Sequence, residues 1–95
     1  MAKFKLGQLL MTNGIGAEMK KNPAFEKFVK NAFERYKNCD WGDMSAEDQA
    51  LNNKAVEDGK DRIFAAYTDK KSIKKIWIIT EQDRSATTVL FPFEY

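Results

Sequence analysis

"KKIWIITEQDRSATTVLFPF" occupies residues 74–93, and its reading decides the fold. Residues 74–80 and 86–93 are dense in β-branched and aromatic side chains, the types that fit a pleated, half-buried surface. Only Glu81, Gln82, Asp83, Arg84 and Ser85 separate them, and all five are polar. Two apolar β runs with so short a connection form an antiparallel hairpin. Asp83, Arg84 and Ser85 put an acid, a base and a hydroxyl in series, which raises three readings: a turn, a recognition loop or a catalytic group. Neighbours in a turn point in different directions, and a serine nucleophile needs a positioned base. The chain contains no histidine to supply one. Asp and Ser are also turn formers that bond their own backbone. The turn reading is preferred, with Arg84 exposed or reaching back to a nearby carboxylate.

Working outward, "DRIFAAYT" (61–68) is a third strand, joined through "DKKS" (69–72), so the C-terminal half reads as a three-stranded antiparallel meander. Ile76, Trp77, Ile78 and Ile79 are apolar on both faces. That strand is expected to be central, with a helix on one face and a second helix or a partner chain on the other. Pro92 suits the end of an edge strand, where no ladder donor is needed.

The N-terminal half carries helical signals. Asn22 offers an N-cap and Pro23 a first helical position. Phe25, Phe28, Val29, Ala32, Phe33 and Tyr36 then recur at helical spacing and form one apolar stripe over 23–37. Ser45 with Asp48 resembles a capping box for a helix from Ala46 to about Asp58, ended by Gly59. Its apolar face is thin (Ala50, Leu51, Ala55, Val56), so it should lie on the surface. "KFKLGQLLMT" (3–12) reads as a short strand, "NGIG" (13–16) as a loop that ends it, and "AEMKK" as a further helical turn. The expected fold is α+β in a single domain, 1–95: an N-terminal strand, two to three helices, then the meander.

Composition narrows the chemistry. Cys39 is the lone cysteine, which excludes an intrachain disulfide and a multi-cysteine zinc site and favours a structural thiol. No glycine-rich phosphate loop occurs, since "NGIG" lacks the Lys-Ser/Thr that would follow it. The start, "MAKFKLGQLL", has too short an apolar stretch for a signal peptide or a membrane span, so a cytoplasmic location is expected. Neither a cofactor nor a metal is expected. The acids of 40–48 match no calcium-loop spacing, and Glu47 and Asp48 suit the first turn of a helix.

The net charge of +2 hides segregation. Residues 1–37 carry eight Lys/Arg against three Glu, a net of +5; residues 38–61 carry two Lys against seven acids, a net of −5; residues 62–95 carry six basic against four acidic groups, a net of +2. In the acidic block, "DWGDMSAED" (40–48) sets Trp41 among Asp40, Asp43, Glu47 and Asp48. A loop tryptophan either plugs the core or anchors a partner. Against it stand Lys70, Lys71, Lys74 and Lys75 around one hairpin turn, a candidate phosphate-contacting patch. A near-neutral chain with an acidic block is a poor footprint for a dedicated nucleic-acid binder.

"DWGD" (40–43), Glu47, Asp48 and Asn52 on the next helix, and the ending "WIITEQDRSATTVLFPFEY" together resemble a family of small plasmid-related bacterial proteins. Such proteins are carried on plasmids and integrative conjugative elements. The resemblance covers 40–95, and 4–14 more loosely; the helix over 23–37 is longer and richer in lysine than the family's. It implies no assigned biochemical role. It does imply mobile-element cargo, a class in which small proteins without catalytic groups often inhibit host defence as anti-CRISPR or anti-restriction factors.

The expected function is therefore a non-catalytic protein-binding module that inhibits a host or defence-system protein such as a nuclease. The partner-binding set is Asp40, Trp41, Asp43, Glu47, Asp48, Asp83 and Arg84. The alternative is a nucleic-acid-binding accessory protein that uses the lysine hairpin and Arg84; an enzyme is least favoured. No membrane partner is expected, and the chain would act as a monomer or a homodimer.

Overall fold

A computed structural model describes residues 2–95. In chain order the elements are β1 (Gln8–Met11), α1 (Asn13–Lys21), α2 (Pro23–Lys37), α3 (Ala46–Asp58), β2 (Ile63–Thr68), β3 (Lys75–Thr80), β4 (Ala86–Leu90) and a 3-10 turn (Pro92–Glu94). The fold is α+β. Among the described residues no helix is long and apolar enough to cross a membrane.

The meander forms as its sequence demands. β2 and β3 pair antiparallel with Ala66 opposite Trp77, and β3 and β4 pair antiparallel with Ile78 opposite Val89. β1 then lies parallel to β4, giving a mixed four-stranded sheet in the order β1-β4-β3-β2. β4 is consequently internal, and Pro92 does not end an edge strand. It opens the 3-10 turn beyond β4, a first-turn position where its missing N–H costs nothing.

The N-terminal strand is shorter than its apolar run suggests. At Gly7 the backbone has φ +67, and a Cβ there would sit 2.3 Å from the Arg84 carbonyl oxygen. Only glycine permits that approach, and the chain enters extended pairing after it. At the other end Thr12 is an N-cap whose hydroxyl accepts from the Ile15 N–H, so residues 13–16 are the first turn of α1 and not a loop. The two glycines mislead there because the cap is reinforced from far away. Glu94 accepts from the Gly14 N–H at 3.1 Å, from the Thr12 hydroxyl at 2.5 Å and from the Phe91 N–H at 2.9 Å. A carboxylate at a helix N-terminus is also favoured by the helix dipole.

α2 runs as its stripe predicts, capped by Asn22, which accepts from the Phe25 N–H. Phe25, Val29, Ala32 and Tyr36 are buried in one core with Ile63, Ala65, Tyr67, Ile76 and Ile78. Burial of each of the larger aliphatic and aromatic members contributes about 1.5–3 kcal/mol. The core also holds a line of hydroxyls. Thr87 donates to the Leu6 carbonyl (2.7 Å), Thr80 lies 2.7 Å from Thr87, and Tyr36 lies 2.6 Å from Thr80. Because Thr87 spends its proton on Leu6, Thr80 donates to Thr87 and Tyr36 to Thr80. Burial pushes the Tyr36 phenol far above its ordinary value, so it remains a donor.

β3 is internal, as expected. Ile76 and Ile78 face the α2 core, whereas the opposite face carries Trp77, 4.8 Å from the Phe64 ring and 5.7 Å from Tyr95. The C-terminal tyrosine, not a second helix, packs on Trp77.

α3 starts at Ser45, whose hydroxyl accepts from the Asp48 N–H, and ends at Gly59 in the left-handed region. Ala55 is buried and Val56 half-buried, but Ala50 and Leu51 point outward. The inward position between them belongs to Asn52. Its carboxamide donates to the Phe64 carbonyl at 2.8 Å and accepts from the Phe64 N–H at 3.3 Å. A polar residue thus docks α3 on the edge of β2, which is why the apolar face reads as thin.

Candidate functional site

Residues 81–85 connect β3 and β4, as the hairpin reading requires. The Arg84 N–H donates to the Glu81 carbonyl and the Ser85 N–H donates to the Asp83 carboxylate, both at 2.9 Å. Asp83 is exposed, and the Ser85 hydroxyl and N–H hold its carboxyl below the usual carboxylate range. Arg84 departs from expectation. It is only 9% exposed, with φ 61, and it meets no carboxylate. Its Nη1 donates to the carbonyls of Asp61 (2.7 Å), Glu81 (3.2 Å) and Gln82 (3.2 Å), and Nη2 to that of Ala55 (2.8 Å). The guanidinium joins the hairpin turn to the C-terminal end of α3, where the helix dipole favours a cation. Arg84 is therefore a tether and not an exposed partner-binding residue. Asp83 and Arg84 face opposite ways, so the tripeptide forms no joint site.

The segment 40–48 divides in the same manner. Asp40 takes a forked contact from Arg35, Nε at 2.8 Å and Nη2 at 3.2 Å, and accepts from the Gly42 N–H at 3.2 Å. The Arg35 guanidinium holds its carboxyl below the usual range. Trp41 is 2% exposed. Its ring meets Tyr36 at 5.4 Å and Phe4 at 5.8 Å, and its Nε1 donates to Asn53 at 2.9 Å. It plugs the core. Gly42, at φ +71, brings the backbone so close to β2 that a Cβ would lie 2.2 Å from the Ala66 carbonyl oxygen. Asp43 follows with its N–H on that carbonyl (2.7 Å) and its carboxylate accepting from the Thr68 hydroxyl (2.7 Å). Cys39 is half-buried, and burial raises its thiol above the ordinary value.

Two of the four acids are thus engaged locally. Glu47 and Asp48 are exposed on the first turn of α3 and make no ion pair among the described residues. Asp48 borders a depression of about 460 Å³ between α3 and the outer face of β2. Met44, Leu51 and Phe64 supply its apolar surface, and Asp48, Asp61 and Arg62 its polar rim. Leu51 is 64% exposed. Of the acids of 40–48, Glu47 and Asp48 are the exposed, unpaired ones among the described residues, and the apolar side chain exposed beside them is Leu51 and not Trp41, since a thin stripe cannot tell an inward leucine from an outward one. Leu51 lies one turn after Glu47 and Asp48 on the exposed side of α3.

A second depression, of about 730 Å³, lies beside the hairpin turn between Lys60, Glu81 and Asp83, and no large apolar side chain lines it. In the lysine hairpin, Lys70, Lys71 and Lys75 are exposed, while Lys74 pairs with Glu18. Among the described residues no three His, Cys, Asp or Glu side chains gather to hold a metal ion. Compared with protein-family models, with curated proteins and with solved structures, the chain matches none.

Proposed function

We propose that the chain is a non-catalytic protein-binding module that inhibits a host-defence nuclease on behalf of a mobile genetic element. The observation that supports this reading is the depression beside α3: an apolar surface of Met44, Leu51 and Phe64 with Asp48, Asp61 and Arg62 on its rim and Glu47 beside Asp48, so that acids outnumber the one cation. Acidic groups on such a rim steer a basic groove toward the site and set its orientation. An exposed leucine in its lining supplies the desolvated contact that charge lacks. Leu51 takes the anchoring role that the sequence assigned to Trp41. The mobile-element setting and the choice of a nuclease rest on the resemblance of 40–95 to plasmid-related proteins. Expression in cells with an active CRISPR or restriction system tests it: the wild type should restore transformation by a targeted plasmid, and a Glu47→Lys/Asp48→Lys/Leu51→Lys variant should not.

The second reading, nucleic-acid binding, is favoured by one observation. On the sheet face opposite the α2 core, Phe64 and Trp77 stand beside Arg62 and Lys75, near the exposed Lys70 and Lys71. Aromatic faces flanked by cations suit stacked bases. A Lys70→Glu/Lys71→Glu/Lys75→Glu variant that alone loses activity in the same cells would favour it.

A further inference from the structure

The two edges of the sheet are treated in opposite ways. The outer edge of β2 is closed by Asn52 on Phe64 and by the Asp43 N–H on the Ala66 carbonyl. Among the described residues nothing pairs with the outer edge of β1. Gln8 N–H bonds the Ser85 carbonyl and Thr12 N–H the Val89 carbonyl, so strand alternation turns the N–H and C=O of Leu9 and Met11 away from β4. Gln8–Met11 contains no charge and no proline, the devices that blunt a natural edge. Leu9 and Met11 are 57% and 54% exposed. They lie over a groove of about 400 Å³ whose other wall is α2, with Val29 and Phe33, joined by Met19 of α1.

We infer that this edge pairs with the same edge of a second copy of the chain, β1 antiparallel to β1 about a two-fold axis at Leu10, joining two sheets into one of eight strands. The interface is independent of whatever α3 binds. Three features select a second copy. The first is register: with Leu10 on the axis, Leu9 of each chain faces the partner's Met11, and all outward N–H and C=O groups of both strands are used in two hydrogen-bonded pairs. A register centred on Leu9 would pair Met11 with Gly7, which φ +67 takes out of the strand; one centred on Met11 would pair Leu9 with Asn13, which is in α1. The second is charge. The α2 side of the groove carries Lys30 and Glu34, each already paired along its own helix, Lys30 with Glu26 and Glu34 with Lys37, so the wall is neutral and a second copy brings no like charge against it. The third is size. A stable interface covers roughly 800 Å² per partner, more than a four-residue strand presents, and a partner that brings its own helix beside its own strand also covers the wall of α2.

Mass by light scattering, from low to high micromolar, tests the pairing. The wild type should reach twice the 11.0 kDa chain mass. Leu9→Lys should be monomeric with an unchanged far-ultraviolet spectrum. Met11→Pro should also be monomeric, because the N–H it deletes does not serve β4. Antiparallel pairs of the Leu10 type hold their Cα atoms about 4.5 Å apart, within disulfide reach. In a Cys39→Ser background, Leu10→Cys should therefore cross-link on oxidation and Leu9→Cys should not. A monomeric wild type throughout, a dimer that survives in folded Leu9→Lys, larger assemblies, or equal cross-linking at both positions would each overturn the inference.

Discussion

The carboxamide of Asn52 occupies both hydrogen-bonding positions of Phe64, donating to its carbonyl at 2.8 Å and accepting from its N–H at 3.3 Å. A neighbouring strand would do the same. One side chain on α3 therefore closes the sheet edge and fixes the helix against it, which in turn sets Leu51 and Asp48 facing outward beside Phe64.

Asn52→Ala should leave two backbone groups of β2 without partners. Each unsatisfied group costs about 1–3 kcal/mol, so a loss of at least about 2 kcal/mol and a fall in Tm of roughly 8 °C or more are expected. Asn52→Asp keeps an acceptor for the N–H and loses the donor to the carbonyl, and should fall lower than wild type. Calorimetry checks this; an Asn52→Ala variant that melts with wild type would show that the edge does not depend on Asn52.

Arg84→Met keeps most of the side-chain length and removes all the guanidinium bonds to Ala55, Asp61, Glu81 and Gln82. Hydrogen bonds from a charged donor contribute about 1.5–3 kcal/mol each at most and are not additive, so a net loss of about 3 kcal/mol is expected in urea unfolding, with Arg84→Lys between. If Arg84 were a surface recognition residue, Arg84→Met would unfold with wild type and lose only binding.

What the sequence disclosed and what it hid have physical reasons. The stripe from Phe25 to Tyr36, the caps at Asn22 and Ser45 and the hairpin around 81–85 are local patterns, each settled within a few residues. The inward turn of Arg84 is not local: its acceptors at Ala55 and Asp61 lie 29 and 23 residues away. The helical start at Thr12 is secured by a carboxylate 82 residues distant. The site was half legible. Charge placed the acidic block, but whether Trp41 or Leu51 faced solvent depended on Gly42 pulling the loop onto β2 and on Asn52 docking α3.

Stability should fall in acid through Glu94 and Asp40. The Thr12 hydroxyl holds the Glu94 carboxyl below its ordinary 4.5, and Arg35 holds Asp40 below its ordinary 3.8. A carboxyl depressed in the folded state adds stability that is complete above the unfolded value and is lost as pH falls through the folded one. Urea midpoints should therefore be flat above about pH 5 and decline below it. Glu94→Gln should be less stable than wild type at pH 7 and should converge on it in acid; parallel curves would assign the acid limb to other groups.

The claim that the chain acts by occupying a basic protein groove is tested most directly by fluorescence anisotropy. The assay uses labelled DNA held by the nuclease whose action the chain relieves in cells. The wild type should displace the DNA, less well as salt rises. Glu47→Lys/Asp48→Lys/Leu51→Lys should fail to displace it, and the chain alone should leave the DNA unbound. The contrary result is binding of the DNA by the chain itself, with an affinity that falls steeply with salt and is lost in Lys70→Glu/Lys71→Glu/Lys75→Glu.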